Sequence, residues 1–143
     1  MNYAIKITSE GGDTIEIGDA SAVNNQDLIK SVDIFFDTID DDVRQKASGM
    51  LAKITIGGKI DIGIQSELMK IFEWSKALES DKWYRDLEIV IYEGGTTVRN
   101  YIIPSVFVVD YKEMYRVSGT NANDEFELKL TQKQNNFDKI ETF

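Results

Sequence analysis

The chain contains no cysteine and no histidine among its 143 residues. Without cysteine there are no disulfides and no thiolate chemistry, and the usual zinc sites lose their sulfur ligands. Without histidine the commonest general base is missing, and so is the Ser-His-Asp triad. These absences direct the search for function away from catalysis and toward surfaces and assembly.

Basic charge is also scarce, with 16 lysines and arginines against 25 acidic residues and a net charge of −9. A nucleic-acid binder or a protein that docks on anionic lipid needs the opposite balance. No apolar run approaches the ~20 residues that span a bilayer, and the N-terminus alternates like a strand instead of forming a signal peptide. We therefore expect no membrane partner, and synthesis in the cytoplasm.

Short alternating segments bounded by turn residues fill most of the chain. Phe126, Leu128 and Leu130 alternate with polar neighbours, which predicts a strand with one buried face. The single proline, Pro104, marks a strand start or an edge, since it donates no ladder hydrogen bond. Glycine pairs predict hairpin turns at 11–13, 57–58 and 93–96. Strands are predicted at 3–8, 14–17, 28–36, 50–56, 59–62, 86–92, 97–103, 105–117 and 125–131.

One amphipathic helix is predicted near the middle of the chain. Ser66 is a suitable N-cap, and apolar residues recur at helical spacing at Leu68, Ile71, Phe72 and Leu78, with Ser75 on the same stripe. About eight strands and one helix bury their apolar faces most simply as an antiparallel β-sandwich or small barrel with the helix on one side. The sequence therefore predicts a mainly β fold with one central α-helix, in a single domain over 1–143.

None of the candidate chemical motifs has the residue spacing or surroundings that its chemistry requires. The Asp40–Asp42 run lacks the alternating ligands and the turn glycine of a calcium loop. The glycines at 57–58 precede a lysine, but the remaining Walker positions are wrong. The carboxylate pairs Asp110 with Glu113 and Glu125 with Glu127 alternate with apolar residues, and no pocket is predicted that would raise a pKa. We therefore predict no catalytic residue, no metal site and no cofactor.

Two polar segments remain after the strands are assigned. Segment 37–49 is long for a connection, and such loops are often functional, although a solvated loop or one helical turn is an equal alternative. Its charges are acidic first and basic afterwards: Asp37, Asp40, Asp41, Asp42, Arg44 and Lys46. In the tail, 132–143, apolar residues are spaced three apart. We expect it either to dock as a short helical turn or to stay disordered until a partner covers it.

The order of these elements resembles that of tube-forming proteins, namely phage tail-tube subunits and the haemolysin-coregulated protein of type VI secretion. The most similar stretch is 100–111 (NYIIPSVFVVDY), followed by a polar turn and by 124–133 (DEFELKLTQK). The resemblance covers most of the chain in element order and little of it in identities.

The resemblance implies a ring, commonly a hexamer, whose inner strands join into one β-barrel around a channel. The charged residues of 37–49 would contact the next ring, and the helix would lie outside the barrel. Sheath, baseplate or spike proteins would be partners. DNA or protein cargo would pass through the lumen without specific binding, which the acidic balance suits. The chain would belong to a virion, a tail-like particle or a secretion tube.

Three other interpretations stay open. A tail-terminator or baseplate protein would have the same fold and form a single ring. A monomeric ligand-binding β-barrel would be lined by Trp74, Trp83 and Tyr84, although these aromatic residues are expected mainly to pack against the sheet. An enzyme that uses carboxylates ranks last, because no nucleophile and base stand together.

Overall fold

A computed structural model describes residues 1–18, 28–38, 50–119, 123–134 and 136–143. Within these ranges eight strands form one antiparallel sheet, and one α-helix, α1, lies between the fourth and fifth strands. This confirms the predicted mainly β fold with one central helix. The strands are β1 (Asn2–Thr8), β2 (Thr14–Ile17), β3 (Ile29–Thr38), β4 (Met50–Lys59), β5 (Arg85–Glu93), β6 (Thr96–Met114), β7 (Glu125–Gln132) and β8 (Glu141–Thr142), and α1 is Gln65–Ser75. None of the helices in these ranges is long and apolar enough to cross a membrane.

The strand order is β2-β1-β5-β6-β7-β4-β3, with β8 beside β6. The first half of β6 pairs with β5 and the second half with β7, with Val106 in both ladders. β6 therefore belongs to both halves of the sheet, and the apolar faces of the two halves share one core. The fully buried side chains in it include Ile5, Ile7, Ile15, Ile17, Ile54, Ile56, Leu87, Ile89, Ile103, Phe126, Leu128 and Leu130.

The continuity of β6 corrects the prediction of two strands separated at Pro104. Ser105 has a φ of 57°, so the strand bends there without ending. The polar groups at the bend are satisfied from outside the ladder. Asp86 Oδ1 accepts from the Ser105 N–H at 3.0 Å, the Ser105 carbonyl accepts from the Lys133 N–H at 2.7 Å, and Gln132 Nε2 donates to the Pro104 carbonyl at 3.1 Å. Proline is tolerated because these bonds replace the ladder where β6 changes partners.

The Gly57–Gly58 hairpin prediction is also wrong, because both glycines lie inside β4. Gly58 is opposite Ile29 on β3 and Phe126 on β7. A Cβ on Gly58 would lie 2.5 Å from the Phe126 ring and 2.6 Å from the Leu28 carbonyl oxygen. The role of glycine here is to let neighbouring strands approach closely, and not to form a turn.

The helix begins differently from the prediction. Ser66 is not the N-cap, because Ile64 occupies that position and makes no side-chain cap. Asp61 instead caps a preceding 3-10 turn, Ile62–Ile64, with its Oδ2 accepting from the Gly63 N–H at 2.8 Å. The chain therefore enters α1 already turning, which removes the need for a polar N-cap at Ser66.

The buried stripe of α1 consists of Leu68, Ile71 and Trp74. The predicted stripe is wrong at Phe72, which is half exposed, and at Leu78, which is almost fully exposed beyond the end of the helix. Trp74 completes the stripe at i, i+3 and i+6 from Leu68 and displaces Phe72 from the core.

The C-terminal tail docks on the sheet. Its Phe137–Lys139 turn is followed by β8, which pairs with Tyr101 and Ile102 of β6. The Phe143 N–H donates to the Asn100 carbonyl at 2.9 Å, and the Asn100 N–H donates back at 3.1 Å. Phe137 packs edge-on against Phe36 with 5.6 Å between ring centroids. The docked helical turn is therefore the correct alternative of the two predicted for the tail.

Candidate assembly surface

One edge of the sheet, along β2, is closed by side chains of α1. The Glu16 N–H donates to Glu67 Oε2 at 3.0 Å, and Lys70 Nζ donates to the Thr14 carbonyl at 3.3 Å. These are main-chain groups of an edge strand, which otherwise invite another strand to pair. The helix therefore blocks further growth of the sheet at β2.

The opposite edge, along β3, has no comparable side-chain hydrogen bonds to its main chain among the residues that the structure describes, although part of β3 lies near β1. β3 is ten residues long and pairs with β4. Its Phe35 side chain is 58% exposed, and Asp33 is exposed as well. A long exposed edge strand with an aromatic side chain is a ready site for strand pairing.

A second open edge runs along the second half of β6. Residues 107–114 pair with β7 on one side only, within the described ranges. At the start of this edge, Phe107 and Val108 border a hollow of about 260 Å³ that Trp74, Ala77 and Trp83 also line. The edge is therefore covered by the helix end near Phe107 and is open farther along.

The tryptophans of that hollow are held by the main chain. Trp74 Nε1 donates to the Trp83 carbonyl at 2.8 Å, and Trp83 Nε1 donates to the Ala77 carbonyl at 2.9 Å. Tyr84 packs edge-on against Phe107 at 5.9 Å. Both indole donors are therefore used to fix the connection between α1 and β5, which weakens the interpretation of these aromatic residues as a ligand platform.

The outer face of β3, β4, β7 and the second half of β6 carries balanced charge. The cross-strand pairing identifies the residues of this face, whose side chains point away from the core. The basic residues of this face are Lys53, Lys59, Lys112 and Lys129, and the acidic residues are Asp33, Asp37, Asp110, Glu125 and Glu127. The large negative net charge of the chain is therefore not concentrated on this face.

Only one of the six charged residues singled out in 37–49 lies in the described part of the chain. Asp37 is near the end of β3, and its Oδ2 is 3.3 Å from Lys53 Nζ on the adjacent strand. It is therefore part of the sheet and not of a loop. The remaining five, Asp40, Asp41, Asp42, Arg44 and Lys46, lie outside the described residues.

Near the end of β6 the Glu113 carboxylate forms a hydrogen-bonded group with two tyrosines. Glu113 accepts from the Tyr111 hydroxyl at 2.7 Å and from the Tyr115 hydroxyl at 2.8 Å. Burial, with the Glu113 hydrogen bond, raises the pKa of Tyr111, and the same hydrogen bond raises the pKa of Tyr115. Within the described residues no group of acidic side chains has the arrangement of a metal site.

Asp33, Phe35 and Lys112 were not singled out from the sequence, although the structure places them at or beside the open edges. One sequence signal was available. Phe35 and Phe36 are adjacent, so a strand through them has an aromatic residue on each face. Such a strand exposes one of the two unless a partner covers it.

No family model matches the chain, and no curated protein matches its sequence. Solved structures do match. The Hcp1 protein from E. coli EAEC 042 aligns over 100% of this chain and 98% of its own, with a TM-score of 0.60 and 11% identity. The tail-tube (Hcp-like) fold is therefore the fold of this chain.

Two further solved structures have the same fold. The PVC sheath-tube complex of an extracellular contractile injection system, in its extended state, aligns over 99% of this chain and 87% of its own, with a TM-score of 0.57 and 13% identity. The tube-terminating cap of the anti-feeding prophage aligns over 97% and 87%, with a TM-score of 0.53 and 17% identity. At such identities the likeness concerns the tail-tube fold alone.

Proposed function

We propose that copies of this chain join through their sheet edges into a ring, and that stacked rings form the inner tube of a phage tail or a tail-like contractile apparatus. The observation that carries the proposal is the position of the two open edges. They lie at opposite ends of one four-stranded unit, β3-β4-β7-β6. A contact between unlike edges is heterologous, and such contacts generate closed rings when the rotation closes.

The strand directions favour this contact. β3, β4, β7 and β6 alternate in direction, so β3 and β6 run oppositely. When copies are related by rotation about a ring axis, β3 of one copy therefore meets β6 of the next in an antiparallel arrangement. An even number of strands per copy extends the sheet with the ladder type that it already has.

The size of such a ring follows from strand spacing. Six copies, the number that the family resemblance implies, would contribute about 24 strands, and at ~4.8 Å between strands the backbone diameter would be about 37–45 Å for strand tilts up to about 35°. The balanced outer face would line this channel. Its paired charges suit a conduit for DNA or protein cargo that is passed without being held, and no catalytic step is assigned to it.

Light scattering coupled to size exclusion, followed by negative-stain microscopy of the main peak, tests the proposal. The expected result is a ring or tube of several copies of the 16.3 kDa chain. A monomer that persists at high concentration, alone and with sheath or baseplate proteins of the same apparatus, would contradict it.

The contact between rings is assigned to segment 37–49, on its length and its acidic-then-basic charge. Replacing Asp40, Asp41 and Asp42 together by asparagine is expected to impair stacking while leaving single rings intact. Electron microscopy that shows tubes of wild-type length in the triple variant would remove this assignment.

A single-ring terminator or baseplate protein is the second candidate, and the match to a tube-terminating cap favours it. The two functions differ in polymer length. Purified tube subunits are expected to form tubes of variable length, whereas a terminator is expected to stop at one ring and to bind the end of preformed tubes.

A further inference from the structure

We propose that Asp33 of one copy pairs with Lys112 of the next copy, and that this ion pair sets the register of the ring junction. The inference rests on the proposed ring. It specifies which residues of the β3 edge lie opposite which residues of the β6 edge.

The faces of the sheet limit the possible registers. Pairing with β4 places Ser31, Asp33, Phe35 and Asp37 on the outer face of β3. Pairing with β7 places Phe107, Asp110, Lys112 and Met114 on the outer face of β6. A slip of one residue would turn the buried face of one copy toward solvent, so the junction must match outer residues with outer residues. The allowed registers therefore differ by steps of two residues.

The register without stagger is unfavourable for two reasons. Asp33, Thr55, Lys129 and Asp110 form one row across the four strands. Continuing that row into the next copy would place Asp33 opposite Asp110, which sets like charges directly against each other. A closed barrel of tilted strands also requires a stagger.

Among the staggered registers, one matches opposite charges. A two-residue shift places Asp33 opposite Lys112 and Phe35 opposite Asp110. The same shift in the other direction places Asp33 opposite Phe107. A four-residue shift places Asp37 opposite Asp110, which are again like charges. Opposite-charge pairs directly across a ladder are favourable, whereas like charges are unfavourable.

The two residues of the proposed pair are also available. Asp33 and Lys112 are exposed, and neither has a salt bridge to another residue of the described ranges. In contrast, Asp37 is paired with Lys53, and Lys129 lies 3.8 Å from Glu127. On this face the β3 edge therefore presents Asp33, and the β6 edge presents Asp110 and Lys112, none of which is in a salt bridge within the described ranges. Of the two β6 charges, Lys112 alone is opposite in sign to Asp33.

Charge reversal tests the pair. Asp33→Lys and Lys112→Asp, made singly, each place like charges at the junction and are expected to raise the ring dissociation constant roughly tenfold or more. The double reversal restores opposite charges and is expected to return it to within about threefold of wild type. Asp138→Lys and Lys139→Asp, both exposed on the C-terminal turn, are the matched controls and should leave assembly unchanged.

Cysteine pairs give an answer that does not depend on charge, since the chain has no cysteine of its own. Asp33→Cys with Lys112→Cys in the same chain is expected to cross-link neighbouring copies under mild oxidation, giving a ladder on a non-reducing gel that ends at the ring size. The pairs Asp33→Cys with Asp110→Cys and Phe35→Cys with Lys112→Cys report the unstaggered and the four-residue registers. They should cross-link poorly, because a disulfide requires Cβ atoms about 4 Å apart.

The strand tilt in a cryo-EM map of the ring is a further readout. A two-residue shift per four strands corresponds to a tilt of about 20°, and a four-residue shift to about 35°. Barrels commonly have the steeper tilt. A measured tilt of about 35° would therefore contradict the two-residue register.

The outcomes distinguish a wrong register from the absence of a ring. The register is wrong if the wild type forms rings but the double reversal assembles no better than the worse single variant. It is also wrong if a competing cysteine pair cross-links best. Either result leaves the ring proposal standing. A wild-type chain that forms no ring overturns both.

Discussion

The substitution Gly58→Ala is expected to destabilise the protein markedly, although it adds one methyl group to a β-strand. The added Cβ would lie 2.5 Å from the buried ring of Phe126 and 2.6 Å from the carbonyl oxygen of Leu28. Carbon atoms prefer a separation of about 3.5–4.0 Å, so both neighbours would have to retreat by about 1 Å. Phe126 is 2% exposed and packs among core residues, and the carbonyl belongs to the main chain, so neither has room to move freely.

Overpacking of this kind costs about 1–3 kcal/mol. For a chain of this length, each kcal/mol lowers the melting temperature by about 3–4 °C, so a loss of about 3–12 °C is expected. The assay is thermal and urea unfolding followed by circular dichroism. Wild type and variant must be compared at the same protein concentration, because assembly would add its own contribution to apparent stability.

Two other glycines supply matched controls. At Gly57 the new Cβ would meet the Ser31 hydroxyl at 2.7 Å, but that side chain can rotate away, so Gly57→Ala is expected to cost less than Gly58→Ala. At Gly11 the nearest atom is 4.0 Å away, and Gly11→Ala should change stability little. If all three variants unfolded at the same midpoint, the close-approach explanation of the β4 glycines would be refuted.

Three further predictions concern other parts of the fold. Ser105→Gly should raise the free energy of unfolding by up to about 1 kcal/mol in urea titrations, because glycine adopts a positive φ without strain; a loss of stability would contradict this. Glu67→Ala should lower the free energy of unfolding by about 1–2 kcal/mol and increase self-association in light scattering, because it uncovers the Glu16 N–H on the β2 edge. Glu67→Gln keeps an acceptor there and should have a smaller effect on both. The raised pKa of Tyr111 means that the folded state keeps a proton that the unfolded chain releases above pH ~10, so stability should fall as pH rises past that value. Tyr111→Phe, which cannot ionise, should show a shallower fall in stability with pH, and a pH profile identical to that of the wild type would contradict a raised pKa of Tyr111, whose causes are burial and then the hydrogen bond to Glu113.

Most strands were predictable because each follows a local rule. β7 alternates apolar and polar residues, and glycine pairs mark the β1–β2 and β5–β6 hairpins, where Gly12, Gly94 and Gly95 have positive φ. Burial of Phe126, Leu128 and Leu130 follows directly from the alternation. In these elements the local pattern and the tertiary contacts require the same conformation.

The errors arose where long-range contacts decide the role of a residue. Gly58 has the local signature of a turn, but its lack of a side chain is required by Phe126, which is far away in sequence. Pro104 has the signature of a strand end, but side chains from β5 and β7 supply the bonds that allow β6 to continue. Neither requirement is visible in a window of neighbouring residues.

The sequence predicts that the sheet has an exposed edge strand, but not where that edge lies. A long strand with Phe35 and Phe36 side by side indicates an edge, but the sequence does not say which edge of a sheet is left open. The open edge depends on which edge of the sheet α1 packs against. Glu67 and Lys70 meet the β2 edge and close it, and the helix reaches only the start of the open half of β6.

The unequal treatment of the edges bears on how such a chain avoids uncontrolled aggregation. Among the residues that the structure describes, a third long open edge at β2 would allow sheets to join in several combinations, whereas closing β2 leaves one unlike pair of long edges, β3 and the second half of β6. Repeated use of one unlike pair yields either a closed ring or an open helix, and the charges at the junction decide the register that makes closure possible. Because the outer face of this sheet is nearly balanced in charge, most of the −9 net charge is carried by the remaining surface, where it opposes contacts other than the intended one.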